Sequence, residues 1–92
     1  MTRQNLGRCH LSKHAWERLE ERQIRPSHVL LLVGYGDIMR PDKNKRQRLE
    51  MTERKARQLR DEGLGPRETR RLSNLVVIVA RGNVIVTAYL AY

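Results

Sequence analysis

The stretch LVVIVARGNVIVTAYLAY (75–92) constrains the fold most. Val, Ile and Thr dominate two runs, and Gly82-Asn83 lies between them. β-branched side chains suit an extended chain and pack well on a pleated surface. A Gly-Asn pair reaches the positive φ angles that a tight hairpin turn requires. The spacing predicts an antiparallel hairpin with a two-residue turn. Val79 then faces Val86, Ile78 faces Thr87, and Val76 faces Tyr89. Alternation puts Ile85, Thr87 and Tyr89 on one face, and Val84, Val86, Ala88 and Leu90 on the other. A lone hairpin is marginal in water, so the rest of the chain has to cover one of these faces.

Helices come first along the chain. Ser12 is placed to cap a helix running to about Arg22, with Leu11, Ala15 and Leu19 as its apolar stripe and Trp16 beside it. Arg25-Pro26 opens a second helix, because proline suits the first helical position. It carries HVLLLV and ends at Gly34 or Gly36. Residues 37–51 read as a hairpin, with strands near Ile38–Arg40 and Arg46–Met51 and a turn over Pro41–Lys45. Period two puts Arg46, Arg48 and Glu50 on one face and Gln47, Leu49 and Met51 on the other. Residues 52–73 read as an Arg-rich helical insert, capped by Thr52, broken at Gly63 and reopened by Pro66. Its stripe of Ala56, Leu59, Leu64 and Leu72 is thin, which predicts a place on the outside. No internal repeat or linker is evident. The chain therefore reads as one domain over 1–92: two helices (11–36), a hairpin (37–51), the insert (52–73) and a C-terminal hairpin (75–92). The expected class is α+β, with N-terminal helices packed on a four-stranded antiparallel sheet and a helical insert before the last hairpin.

Charge narrows the partners. Nineteen Lys and Arg face ten Asp and Glu in 92 residues, a net charge of +9. Such a field favours polyanions, since Arg and Lys that replace condensed counterions release them. RNA is the expected partner, with DNA as the other polyphosphate. Cys9 stands alone, so no internal disulfide forms. No stretch approaches the roughly 20 apolar residues of a membrane span. The start, MTRQNLGRCHLSKH, has no apolar signal-peptide core. A cytoplasmic protein away from membranes is expected.

Few patterns carry chemistry. Cys9, His10 and His14 cluster, but no second Cys/His group follows to complete a zinc site. His28 stands apart. GYG (34–36) lacks the spacing and ending of a phosphate loop. No metal or cofactor is expected. The helix-one row says more. At about 100° per residue, Arg18 falls about 40° and Arg22 about 80° from His14, while Leu11, Ala15 and Leu19 span about 60° to 140°. Arg22 therefore points into the apolar stripe and needs a partner: a carboxylate, backbone carbonyls or a bound phosphate. Glu17, Glu20 and Glu21 lie on the outer side. The run KNKRQR supplies Lys43, Lys45, Arg46 and Arg48, either as a nucleic-acid contact or as a solvated hairpin tip.

LSKHAWERLEERQI, the Pro-opened helix ending in Gly, and VIVTAY together resemble a family of small bacterial domains of unknown function. Its signature is H-A-x-x-R-x-x-x-R-x-I with a final V-[IV]-T-x-Y strand. His14, Ala15, Arg18, Arg22, Ile24, Thr87 and Tyr89 occupy those positions here. The resemblance spans Leu11 to Tyr89 and departs at the Arg-rich insert. It implies kinship with the barnase–colicin–RelE-like ribonucleases and toxins, an α+β fold and, for many relatives, metal-independent RNA cleavage. On that reading His14 is the acid/base group, with Arg18 and Arg22 beside it. Arg40, Arg48 and Arg46 become phosphate contacts, Thr87 a hydrogen-bond donor to phosphate, and Tyr89 a donor or a stacking platform. A second proton-transfer group is missing. RelE-like relatives often manage with Arg, Lys and Tyr. Ordinary sheet filling explains Thr87 and Tyr89 equally well.

Two further readings stay open. One is a nucleic-acid-binding module without catalysis that uses the Arg-rich insert. The other is a partner-binding protein whose basic surface meets an acidic inhibitor; a toxin would have such an antitoxin.

Overall fold

The computed structural model describes residues 9–41 and 43–91. Most of the start read for a leader (1–8), Asp42 in the first turn and Tyr92 lie outside the described residues.

The order is β1 (His10–Leu11), α1 (Lys13–Glu21), α2 (Pro26–Tyr35), β2 (Ile38–Pro41), β3 (Gln47–Glu50), α3 (Glu53–Asp61), α4 (Pro66–Asn74), β4 (Leu75–Ala80) and β5 (Val84–Leu90). The sheet has five strands in the order β1-β5-β4-β3-β2. The fold is α+β as expected, but the sheet is mixed. β1 runs parallel to β5, pairing His10 with Val84 and Leu11 with Ile85. Two residues are too few to show a period, so the fifth strand left no sequence signal.

Leu49, Val77 and Ala88 stand side by side across β3, β4 and β5, and all are buried. They share one core with Ala15 and Leu19 of α1, Val29, Leu32 and Val33 of α2, Ala56 and Leu59 of α3, and Leu72 of α4. α1 and α2 lie against the sheet, and α3 and α4 join the same core by packing on each other and, through α4, on α2. Residues 52–73 are therefore not an outer insert. Two buried residues on α3 and one on α4 suffice because the helices also pack on each other.

The two helical pairs repeat at an interval of forty residues. Ser12 and Thr52 cap α1 and α3, accepting from Ala15 N and Lys55 N. Each helix has nine residues. Gln23 (φ 55°) and Gly63 (φ 118°) make the left-handed exit, and Ile24 N→Leu19 O and Leu64 N→Leu59 O close the same turn. Pro26 and Pro66 open the next helices, and Leu32 and Leu72 are both fully buried. A hairpin follows each pair, β2–β3 and then β4–β5. The expectation of no repeat is corrected. Between 12–32 and 52–72 only Leu19/Leu59, Pro26/Pro66 and Leu32/Leu72 are identical. The repetition lives in caps, turns and buried positions.

The last hairpin departs from its expected register near the turn. The loop has three residues, Arg81, Gly82 and Asn83, so Ala80 faces Val84 and Val79 faces Ile85. A bulge at Val86 absorbs the extra residue, and Ile78–Thr87 and Val76–Tyr89 pair as the sequence predicts. The bulge also breaks the alternation. Ile85 and Ala88 both enter the core, while Thr87 and Tyr89 stay half-buried on the other face.

Asp37 ties the two halves together. Its carboxylate accepts from Thr52 N at 2.8 Å and Thr52 Oγ1 at 2.6 Å, fixing the start of α3. Burial pushes the Asp37 carboxyl up. The Thr52 bonds, its own backbone N–H and the Lys55 charge outweigh that, and the pKa falls below 3.8.

Leu72→Ala tests the place of α4. A core position costs about 2–5 kcal/mol on truncation, whereas an outer one costs less than about 0.5 kcal/mol. Urea unfolding is expected to give a value in the first range.

Candidate functional site

Helix α1 packs along β5. β1 covers β5 only at Val84 and Ile85. Beyond that point, among the described residues, no strand flanks β5 on this side. The cleft that results is about 480 Å³, lined by Ser12, His14, Arg18, Arg22, Arg46, Val86 and Thr87. Ser12 and Arg22 are the two caps of α1, His14 and Arg18 lie on the helix between them, Arg46 immediately precedes β3, and Val86 and Thr87 come from the bulged part of β5.

The row is tied together. Arg18 Nε donates to His14 Nε2 at 3.2 Å. The partner of Arg22 is on the sheet. Its Nη1 donates to Ala88 O at 2.8 Å and to Thr87 Oγ1 at 3.2 Å. The helical wheel aimed Arg22 at the core. The helix in fact ends at Glu21, and Arg22 is its C-cap with an exposed side chain. It reaches across the open edge of β5 instead of into the apolar stripe.

The other expected contacts lie elsewhere. Arg40, Arg48, Ile78 and Thr87 form one row across the sheet, on the face away from the helices. Arg48 Nε donates to Glu50 Oε2 at 2.8 Å, and Arg40 lies 4.0 Å from the same oxygen. Glu50 thus offsets part of the charge of both. Lys43 and Lys45 are exposed between β2 and β3, with Lys45 in the left-handed region (φ 60°). Tyr89 is half-buried beside Val76 and is not in the lining of the cleft. Among the described residues no three His, Cys, Asp or Glu side chains stand together as a metal site would need. Burial pushes the Cys9 thiol up, away from a reactive thiolate.

Sequence reasoning missed two features. One is the exposure of Val86 and Thr87 together, which only the bulge produces. The other is His28, isolated in the sequence yet buried beside charged groups of α4. Its neighbours on α4, Glu68 and Arg71, are brought beside it by the packing of α2 on α4, which no local pattern in the sequence signals. The forty-residue offset sets Arg54, Gln58 and Glu62 against His14, Arg18 and Arg22, so the second helical pair lacks the row.

Compared with protein-family models, curated proteins and solved structures, the chain finds no match in any of the three. No helix among the described residues is long and apolar enough to cross a membrane.

Chemically, the cleft offers three guanidiniums, two hydroxyls and one imidazole. No carboxylate lines it. It suits an oxyanion next to a hydroxyl that has a proton to lose.

Arg22→Ala removes a charge-assisted bond to an edge carbonyl and is expected to cost about 1 kcal/mol. Arg18→Ala, whose partner is an exposed side chain, is expected to cost under about 0.5 kcal/mol. Chemical denaturation of the two variants checks the difference; equal costs would remove Arg22 from the edge-fastening role.

Proposed function

We propose that the protein binds RNA in the α1/β5 cleft and cleaves it without a metal, in the manner of the toxin-type ribonucleases its motifs resemble. The meeting of His14, Arg18, Arg22, Arg46 and Thr87 in one cleft carries this reading. Phosphodiester cleavage by an internal 2′-hydroxyl needs a base, an acid for the leaving 5′-oxygen, and cations around the phosphorane. His14 takes the 2′-hydroxyl proton as that oxygen bonds to phosphorus. Arg18 and Arg46 hold the non-bridging oxygens, with Arg22 and Thr87 behind them. The P–O5′ bond breaks, and the imidazolium returns its proton to the 5′-oxygen. The products are a 2′,3′-cyclic phosphate and a 5′-hydroxyl. With one imidazole and no carboxylate, both transfers pass through His14.

A second reading has a specific observation behind it. The His14 lone pair already accepts from Arg18, and Arg22 is already spent on Ala88 and Thr87. Such a cleft suits binding without cleavage, of RNA or DNA, with the Arg-rich α3 and α4 as a further basic surface. An acidic antitoxin protein would be the natural inhibitor under either reading.

Incubating the purified protein with single-stranded RNA in EDTA separates the two. Cleavage is expected, with a cyclic phosphate end and no cutting at a 2′-deoxy position. His14→Ala is expected to lower the rate by about 10²–10⁴-fold while circular dichroism stays unchanged. Binding that survives His14→Ala with no cleavage by the wild type would favour the non-catalytic module.

A further inference from the structure

A second polar cleft, of about 470 Å³, lies where the first turns of α2 and α4 meet. Gln23, Arg25, His28, Arg67, Glu68 and Arg71 line it. Four features set it apart from ordinary surface charge.

His28 is only 7% exposed, and among the described residues its ring makes no hydrogen bond. Among the described residues no fully buried side-chain nitrogen or oxygen lacks a partner, so the ring nitrogens of His28 keep a small opening, and the ring lines this cleft. A largely buried imidazole whose open nitrogens face a cleft can hydrogen-bond whatever enters it. Next, three guanidiniums face a single carboxylate there, and among the described residues no ion pair neutralises Arg25, Arg67 or Arg71. Arg71 Nη1 donates to Gln23 O at 3.1 Å, which joins the two walls and leaves the rest of the guanidinium available.

Third, the N-termini of two helices contribute. The N-caps Arg25 and Gly65 provide no side-chain cap bond, and both helices open on proline. Their positive ends favour an anion. Fourth, an anion already leans into that place. The Glu68 carboxylate folds back over Gly65 so closely that a Cβ there would collide with it.

We propose that this cleft is an anion site that takes a phosphate group, with Arg25, Arg67 and Arg71 as its cationic walls and His28 as the hydrogen-bonding group at its floor. Glu68 holds the place when the site is empty and yields to the incoming phosphate. Burial lowers the His28 pKa from 6.5; Arg25 and Arg71 act in the same direction, and Glu68 opposes them. The ring is therefore neutral at pH 7 in the free protein. A bound phosphate reverses that balance and draws a proton onto it, so the His28 midpoint rises with occupancy.

Two sources share this chemistry. One is a free phosphate or small phosphate ester. The other is a phosphodiester in a strand that also occupies the His14 cleft, because Arg22 and Gln23, neighbours in the chain, line the two clefts in turn. The site itself does not rest on the ribonuclease reading.

NMR of the His28 imidazole in the full chain tests it. Inorganic phosphate is titrated first, then a short oligoribonucleotide without terminal phosphates. A saturable His28 shift and a higher titration midpoint are expected with phosphate. Arg67→Ala, at an exposed position, is expected to weaken the apparent affinity about tenfold. Glu68→Gln is expected to tighten it severalfold. His14→Ala is expected to leave it unchanged, which keeps this result separate from the fate of the other cleft. A His28 shift with the oligoribonucleotide as well assigns the site to a strand; a shift with phosphate alone assigns it to small phosphate esters. No saturable shift with either probe, wild-type affinity in both Arg67→Ala and Glu68→Gln, or loss of the inorganic-phosphate shift in His14→Ala would overturn the site.

Discussion

The row Leu49, Val77 and Ala88 must be kept from water, and the helices that cover it are only nine or ten residues long. Helices that short are marginal on their own. They hold here because each pair is closed by the same capped start, left-handed exit and proline-opened restart, and because both pairs contribute to one core. The forty-residue repeat is the solution to that covering problem, used twice. Leu32 and Leu72, at matching positions, are the side chains on which it turns.

Covering one face leaves the other face and the long edge of β5 to carry charge. The bulge at Val86 divides the strand between these tasks, sending Ile85 and Ala88 inward and leaving Thr87 outward. Arg22 then fastens the end of α1 across that edge, through Ala88 O and Thr87 Oγ1. With the helix held there, His14 and Arg18 stand over the same stretch of β5 that Arg46 approaches from the sheet. The cleft is thus a by-product of edge protection, and Arg22 serves structure there.

Much of this was legible in the sequence. The helix caps Ser12 and Thr52, the prolines at 26 and 66 and the β-branched runs of the last hairpin act locally, so they show in a local reading. The row of His14, Arg18 and Arg22 was visible for the same reason. What escaped depends on long-range pairing. β1 gains its identity only from β5. The bulge follows from a three-residue loop that Gly82-Asn83 does not distinguish from a two-residue one. α3 and α4 looked peripheral because their surfaces are dense with Arg, yet three buried side chains were enough to place them in the core. Arg48 looked free until Glu50 was found beside it, and His28 looked isolated because its neighbours Glu68 and Arg71 lie about forty residues away.

On the proposed function, RNA phosphates contact the α1/β5 cleft, where Arg46 lies, and not the β2–β3 turn that carries Lys43. The salt dependence of RNA binding tests this most directly. Each phosphate contact on a single strand adds about 0.7 to the slope of log affinity against log salt. Arg46→Ala, in the cleft, is expected to lower that slope by about 0.7, while Lys43→Ala, between β2 and β3, leaves it unchanged. Equal effects from the two substitutions, or a slope that neither alters, would contradict the account.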